Sequence, residues 1–147
     1  MKEIKFEKVS YYNKGIIPTR ADDGSAGHDF YTPVDFVIKP GEIFKFETGI
    51  KCKMPKNVVL TLYPRSSIGI KNNLMLCNSV GVIDASFYNN ENNEGNISCA
   101  LFNYGNKEIS FKRGDRIFQG LFTEYFVANN SEVLSATRNG GIGSTGV

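Results

Sequence analysis

Residues 78–87 read N-S-V-G-V-I-D-A-S-F, an apolar run that ends on a single carboxylate, Asp84. A carboxylate in that position can reach water while apolar neighbours raise its basicity, which is what a general base requires. The same residue also caps turns, and on this stretch alone both readings stand. Pro64-Arg65-Ser66-Ser67 places a guanidinium, two hydroxyls and helix-start amides together, either as an anion site or as a basic turn with a serine cap. Ala26-Gly27-His28-Asp29-Phe30 adds a second isolated carboxylate, and Gly114-Asp115-Arg116-Ile117-Phe118-Gln119 is a turn entering a strand. Residues 140–146, G-G-I-G-S-T-G, have the composition of a backbone phosphate cradle and also of a flexible tail. They lack the Lys-Ser or Lys-Thr of a Walker loop.

His28 is the only histidine, and its aromatic surroundings predict packing rather than catalysis. With no Ser-His-Asp set, Cys-His pair or histidine-rich metal cluster in the sequence, no covalent mechanism suggests itself. Carboxylates, hydroxyls, arginine and glycine amides suit hydrolysis of a phosphate ester or anhydride, with magnesium held mainly by the substrate's own oxygens. Seventeen Lys and Arg against fifteen Asp and Glu leave a net charge of +2, too little to argue for nucleic acid or a membrane as partner. Cys52, Cys77 and Cys99 are odd in number and far apart, which predicts buried thiols rather than disulfides or zinc ligands. The amino terminus lacks a signal-like apolar core and no run is long enough to span a bilayer, so a cytoplasmic protein is expected.

These groups must be carried by β-structure. Eighteen Phe and Tyr with fifteen Gly in 147 residues point to strands and frequent turns within a single domain. Alternating apolar residues predict strands over 3–9, 28–31, 34–38, 43–54, 57–63, 74–78, 81–83, 97–104, 108–111 and 116–127, and residues 65–71 predict one short helix. Many short strands with almost no helical period indicate a sandwich or barrel of jelly-roll type.

In this order A-G-H-D-F, P-R-S-S, N-S-V-G-V-I-D-A-S-F, G-D-R-I-F-Q and R-N-G-G-I-G-S-T-G resemble the five motifs of the trimeric dUTPase family, from Ala26 to Gly146. The resemblance implies an all-β, distorted jelly-roll barrel over 1–147, one short helix included, whose flexible C-terminal arm, 128–147, closes over an active site. It implies hydrolysis of dUTP to dUMP and pyrophosphate by water attack on the α-phosphorus, limiting uracil in DNA and supplying dUMP for dTMP synthesis. Asp84 would activate the water, and Asn78 with the adjoining hairpin backbone of Gly81, Val82 and Ile83 would read uracil. Phe87, usually tyrosine in the family, would lie against the deoxyribose. Arg65, Ser66, Ser67 and Gln119 would hold phosphates, and Asp29 would meet the Mg2+ cofactor through water.

The resemblance further implies a homotrimer with shared active sites, in which Arg138, Ile142, Gly143, Ser144 and Thr145 of one arm cover a site built by other subunits. Ile142 stands where the family often has an aromatic residue or histidine over uracil, Arg138 lies one residue nearer the glycines than usual, and residues 89–93 read as an insertion forming a surface loop. A dCTP deaminase or bifunctional enzyme of the same fold is the nearest alternative, although Ala100 occupies the place of its glutamate. A nucleotide-binding regulatory module is the other.

Overall fold

Residues 58–64 show how the sequence makes this fold: Val58, Leu60 and Leu62 are buried while Val59, Thr61 and Tyr63 turn the other way, the period of two that a strand imposes. The structure, a computed structural model, describes residues 3–134. It contains eleven strands among them: β1 Lys5–Lys8, β2 His28–Tyr31, β3 Phe36–Ile38, β4 Ile43–Glu47, β5 Ile50–Lys53, β6 Val58–Pro64, β7 Leu74–Leu76, β8 Gly81–Asp84, β9 Ser98–Asn103, β10 Ile109–Phe111 and β11 Arg116–Glu124. Every pairing is antiparallel, in four sheets ordered β2-β11-β6-β8, β4-β9-β7, β1-β5 and β10-β3. The sheets enclose one apolar cluster in the expected jelly-roll manner, with Phe30, Ile38, Leu60, Leu101 and Ile117 wholly buried in it.

Among the boundaries that differ from the sequence expectation, three have a clear local reason. The single strand predicted over 43–54 is broken at Thr48 and Gly49: Gly49 takes φ 76°, and the Thr48 hydroxyl donates to the Ile97 carbonyl at 2.7 Å. The short helix predicted over 65–71 is one wide turn, Ser67–Lys71, closed where the Asn72 amide reaches back to the Ser67 carbonyl at 3.2 Å. Such a five-residue span is a π turn, a form often found at functional sites. The last predicted strand ends at Glu124, and Phe126, Val127, Val133 and Leu134 beyond it are exposed. No helix among the described residues is long and apolar enough to cross a membrane.

Two buried polar residues constrain the core. Asn103 has no exposed surface; its Nδ2 donates to the carbonyls of Ile38 (3.0 Å) and Lys107 (2.8 Å), and its Oδ1 accepts from the Gly105 amide (3.0 Å). Replacing it with alanine strands those groups, so Asn103→Ala should cost about 3 kcal/mol and lower Tm by about 10 °C in a thermal melt. His28 packs edge-on against Phe6 and Phe122, and its Nδ1 is buried without a hydrogen-bond partner. Burial therefore lowers its pKa below the ordinary 6.5, assisted by Arg20 and opposed by the Gly120 backbone and Asp29. A histidine held neutral stabilises the fold fully above the unfolded pKa, and that contribution is lost as pH falls through the lower folded value. Tm measured from about pH 7.5 down to 5 should fall, and His28→Phe should remove the part of the slope that begins near pH 6.5.

Candidate active site

The sequence-predicted residues gather in two places. The first is a cavity of about 650 Å³ whose lining includes Asp29, Arg65, Ser66, Ser67 and Gln119. Asp29, only 8% exposed on β2, faces the Arg65 Nε at 3.2 Å with one carboxylate oxygen and the Arg116 Nη1 at 3.6 Å with the other. A carboxylate taken out of water needs such partners, and the pairing fixes both guanidinium groups in return.

Gln119 reaches the cavity because β11 bulges against β2, where Arg116 opposes Tyr31 and Phe118 already opposes Phe30. The extra residue buries Ile117 and Phe118 in succession, resets the alternation and turns Gln119 outward. Its Nε2 donates to the Pro64 carbonyl at 3.5 Å, and its Oε1 occupies the space a Cβ on Gly27 would need. Only glycine at 27 leaves that side chain its place. Lys71, at the end of the π turn, lines the same cavity and was not singled out by the sequence.

The second place is a cavity of about 770 Å³ lined by Asn78, Gly81, Val82, Ile83 and Phe87, together with Glu47, Cys77, Asn93, Asn96 and Ala100 among others. Residues 77–80 do not form the expected hairpin, because β7 pairs with β9 and β8 pairs with β6. They are a tight turn that crosses from one sheet to the other, leaving the cavity between the two. The Ser79 amide donates to the Leu76 carbonyl at 2.9 Å and the Val80 amide to the Asn78 carbonyl at 2.7 Å, around Ser79 at φ 65°. An i to i+2 bond with positive φ is the strained form of the γ-turn. Beyond it Gly81 lies against Leu62, whose side chain would be 2.9 Å from a Cβ there. Cys77 corrects the expectation of three buried thiols: it is exposed, since it follows Leu76 on the outward side, whereas Cys52 and Cys99 are buried.

Asp84 ends β8 one residue past Ile83, half-buried, and accepts a hydrogen bond from the Ser86 hydroxyl at 2.6 Å. Its side chain makes no capping bond to the short turn Ala85–Phe87 that follows. In the β2-β11-β6-β8 sheet Asp29 is level with Gln119 and Tyr63, while Asp84 is level with Val59. Three strand spacings across and four residues along separate the backbones of the two aspartates by about 20 Å. One chain therefore brings Asp29, Arg65, Ser66, Ser67 and Gln119 together, but not with Asp84 or the second cavity. Arg138, Ile142, Gly143, Ser144 and Thr145 lie outside the described residues.

The dUTPase family profile matches residues 13–146. A deoxyuridine 5'-triphosphate nucleotidohydrolase of Lactococcus lactis is 42% identical over 149 residues, covering 99% of each chain. The crystal structure of the Streptococcus mutans dUTPase superposes with a TM-score of 0.77 at 36% identity, over 85% of this chain and 98% of that one. A point variant of the dUTPase from phage phi11 of S. aureus, described with a structural Mg(II) ion, is 18% identical with a TM-score of 0.74, over 91% and 98%, and speaks for the fold alone.

The thiols give this geometry a direct test. Burial raises the Cys52 thiol to about 12 and drives Cys99 upward as well, so neither ionises readily. Iodoacetamide applied to native protein should label Cys77 alone, read by peptide mass spectrometry, and Cys77→Ser should abolish labelling. Equal labelling of Cys52 or Cys99 would contradict the assignment.

Proposed function

The chain belongs to the dUTPase family, and from that premise we propose that its two cavities are complementary halves of one site, completed when copies of the chain meet. The protein hydrolyses dUTP to dUMP and pyrophosphate. The observation that carries the division is the separation of about 20 Å within a chain between Asp84 and the Asp29 to Arg65 pair, too far for one triphosphate to bridge both groups during the reaction.

In this reading uracil enters the second cavity, where the Asn78 amide and the backbone of Gly81, Val82 and Ile83 meet its donors and acceptors. The Phe87 ring occupies the space a 2'-hydroxyl would need. Asp84, oriented by the Ser86 hydroxyl, takes a proton from water as the water oxygen bonds to the α-phosphorus and the bond to the bridging oxygen breaks. Arg65, Ser66, Ser67 and Gln119 of another copy receive the charge that develops on the phosphates and on departing pyrophosphate. Asp29 holds Arg65 for that task. Magnesium, when bound, supplies positive charge to the triphosphate oxygens. The metal would be carried by the substrate's own oxygens and met through water by Asp29, which lines the phosphate cavity.

The assembly is a homotrimer on the family pattern, and the whole chain acts as one domain with residues 128–147 as its arm. Phe126, Val127, Val133 and Leu134, exposed beyond β11, suit packing on a neighbouring copy. Arg138, Ile142, Gly143, Ser144 and Thr145 then close over the nucleotide and its outer phosphates. The relatives named above favour this reading over deamination or a purely regulatory role.

Asp84→Asn and Ser66→Ala should each lower kcat by about a hundredfold or more in a pyrophosphate-release assay. Unfolded and refolded together in equal amounts, the two variants should recover about one quarter of wild-type activity, since random assembly rebuilds one wild-type site in four. Activity no higher than the average of the separate variants would refute the shared site.

A further inference from the structure

The segment between Phe87 and β9 is a built structure rather than slack chain. Its ends meet, with the Asn89 amide donating to the Glu94 carbonyl at 2.8 Å and the Glu94 amide to the Asn90 carbonyl at 3.0 Å. Asn89 and Glu94 both adopt positive φ, 55° and 59°, conformations that surrounding contacts must enforce. Those contacts are present: Lys51 Nζ donates to the Asn89 side chain at 2.7 Å and lies 3.3 Å from the Glu94 carboxylate, which also accepts from the Ser10 amide at 3.0 Å. The Tyr11 hydroxyl donates to the Asn93 carbonyl at 3.1 Å.

Asn90 is the centre of this segment. It is 7% exposed, and all four hydrogen-bonding positions of its amide are in use. Nδ2 donates to the Phe87 carbonyl at 2.8 Å and to the Asn93 Oδ1 at 2.7 Å, while Oδ1 accepts from the amides of Asn92 and Asn93 at 3.0 and 3.1 Å. Gly95 closes the other side of the same carbonyl, leaving 2.7 Å between the Phe87 oxygen and any Cβ at 95. The peptide that carries the Phe87 ring is thus gripped from two directions by a segment whose Asn93 also lines the second cavity.

We propose that Asn90 is a positioning residue for sugar selection: through the Phe87 carbonyl it fixes the depth at which the ring stands in the second cavity, and so the clearance left at the sugar's 2' position. The inference rests on the placement of deoxyribose against Phe87 given above. Rejection of a single added hydroxyl depends on how closely the ring approaches the 2' position, so slack in the ring's backbone relaxes selection before it abolishes catalysis.

The test compares kcat/KM for dUTP and UTP in wild-type protein, Asn90→Ala and Asn93→Ala, the last removing the acceptor that orients the Asn90 amide while leaving Asn90 in place. In Asn90→Ala the UTP-to-dUTP ratio should rise about tenfold, with a smaller rise in Asn93→Ala. General loss of stability would depress both substrates together and leave the ratio alone. An unchanged ratio in either folded variant overturns the proposal; should Asn90→Ala fail to fold, Asn93→Ala decides alone. Wild-type protein inert towards dUTP would overturn the substrate reading and this proposal with it, an outcome distinct from an active variant with unaltered selectivity.

Discussion

Asp29 cannot stand in the interior without positive partners, and the structure of the phosphate cavity follows from that need. The carboxylate sits on β2, Arg65 follows β6 and Arg116 opens β11, so one pairing ties together three chain segments distant in sequence. Because the β2 to β11 ladder bulges next to Arg116, the same junction that seats the ion pair also turns Gln119 toward the cavity. Electrostatic demand and strand register are satisfied by one local irregularity, and the cluster of hydroxyls at Ser66 and Ser67 is placed as a by-product. An ion pair whose guanidinium groups stay partly exposed contributes little net stability, so its value here is geometric.

Much of this was readable from residue order because period-two burial is a short-range property. Val58, Leu60 and Leu62 declare their strand without reference to anything else, and four of the five motifs contribute residues to the walls of the two cavities, the fifth lying outside the described residues. What stayed hidden depends on partners far along the chain. Residues 77–80 look like a hairpin turn, yet which strand β7 or β8 pairs with is decided by β9 and β6. Cys77 sits among apolar neighbours in sequence and is exposed because its side falls outward in that pairing. The helix expected after Pro64 is shortened to one turn, with the Ile68 and Gly69 amides both meeting the Arg65 carbonyl. Positions 89–94, written as Asn and Glu alone, carry no periodic signal, so their ordering by Ser10, Tyr11 and Lys51 could not be inferred locally.

The two cavities differ in how they are made, and this bears on how each tolerates change. Around Asp29 the walls are charged side chains whose places are fixed by one another. Around Phe87 the walls mix apolar side chains with the amides of Asn78, Asn93 and Asn96, tied in by hydrogen bonds that run toward the amino terminus through Asn96, whose Nδ2 reaches the Tyr11 hydroxyl at 3.1 Å and the Glu47 carboxylate at 3.3 Å. The first environment is sensitive to loss of charge, the second to loss of rigidity.

The sheet-crossing turn at residues 77–80 has a mechanical corollary. Its two flanks are anchored to different layers, Leu76 to Leu101 on one side and Gly81 to Leu62 on the other. The width of the slot between them is accordingly governed by how far apart those layers rest, a quantity belonging to the interior rather than to any group at the mouth. The packed Leu76 and Leu101 thus act as a spacer gauge, and a change of one methylene there would be transmitted to the opening without touching a residue that lines it.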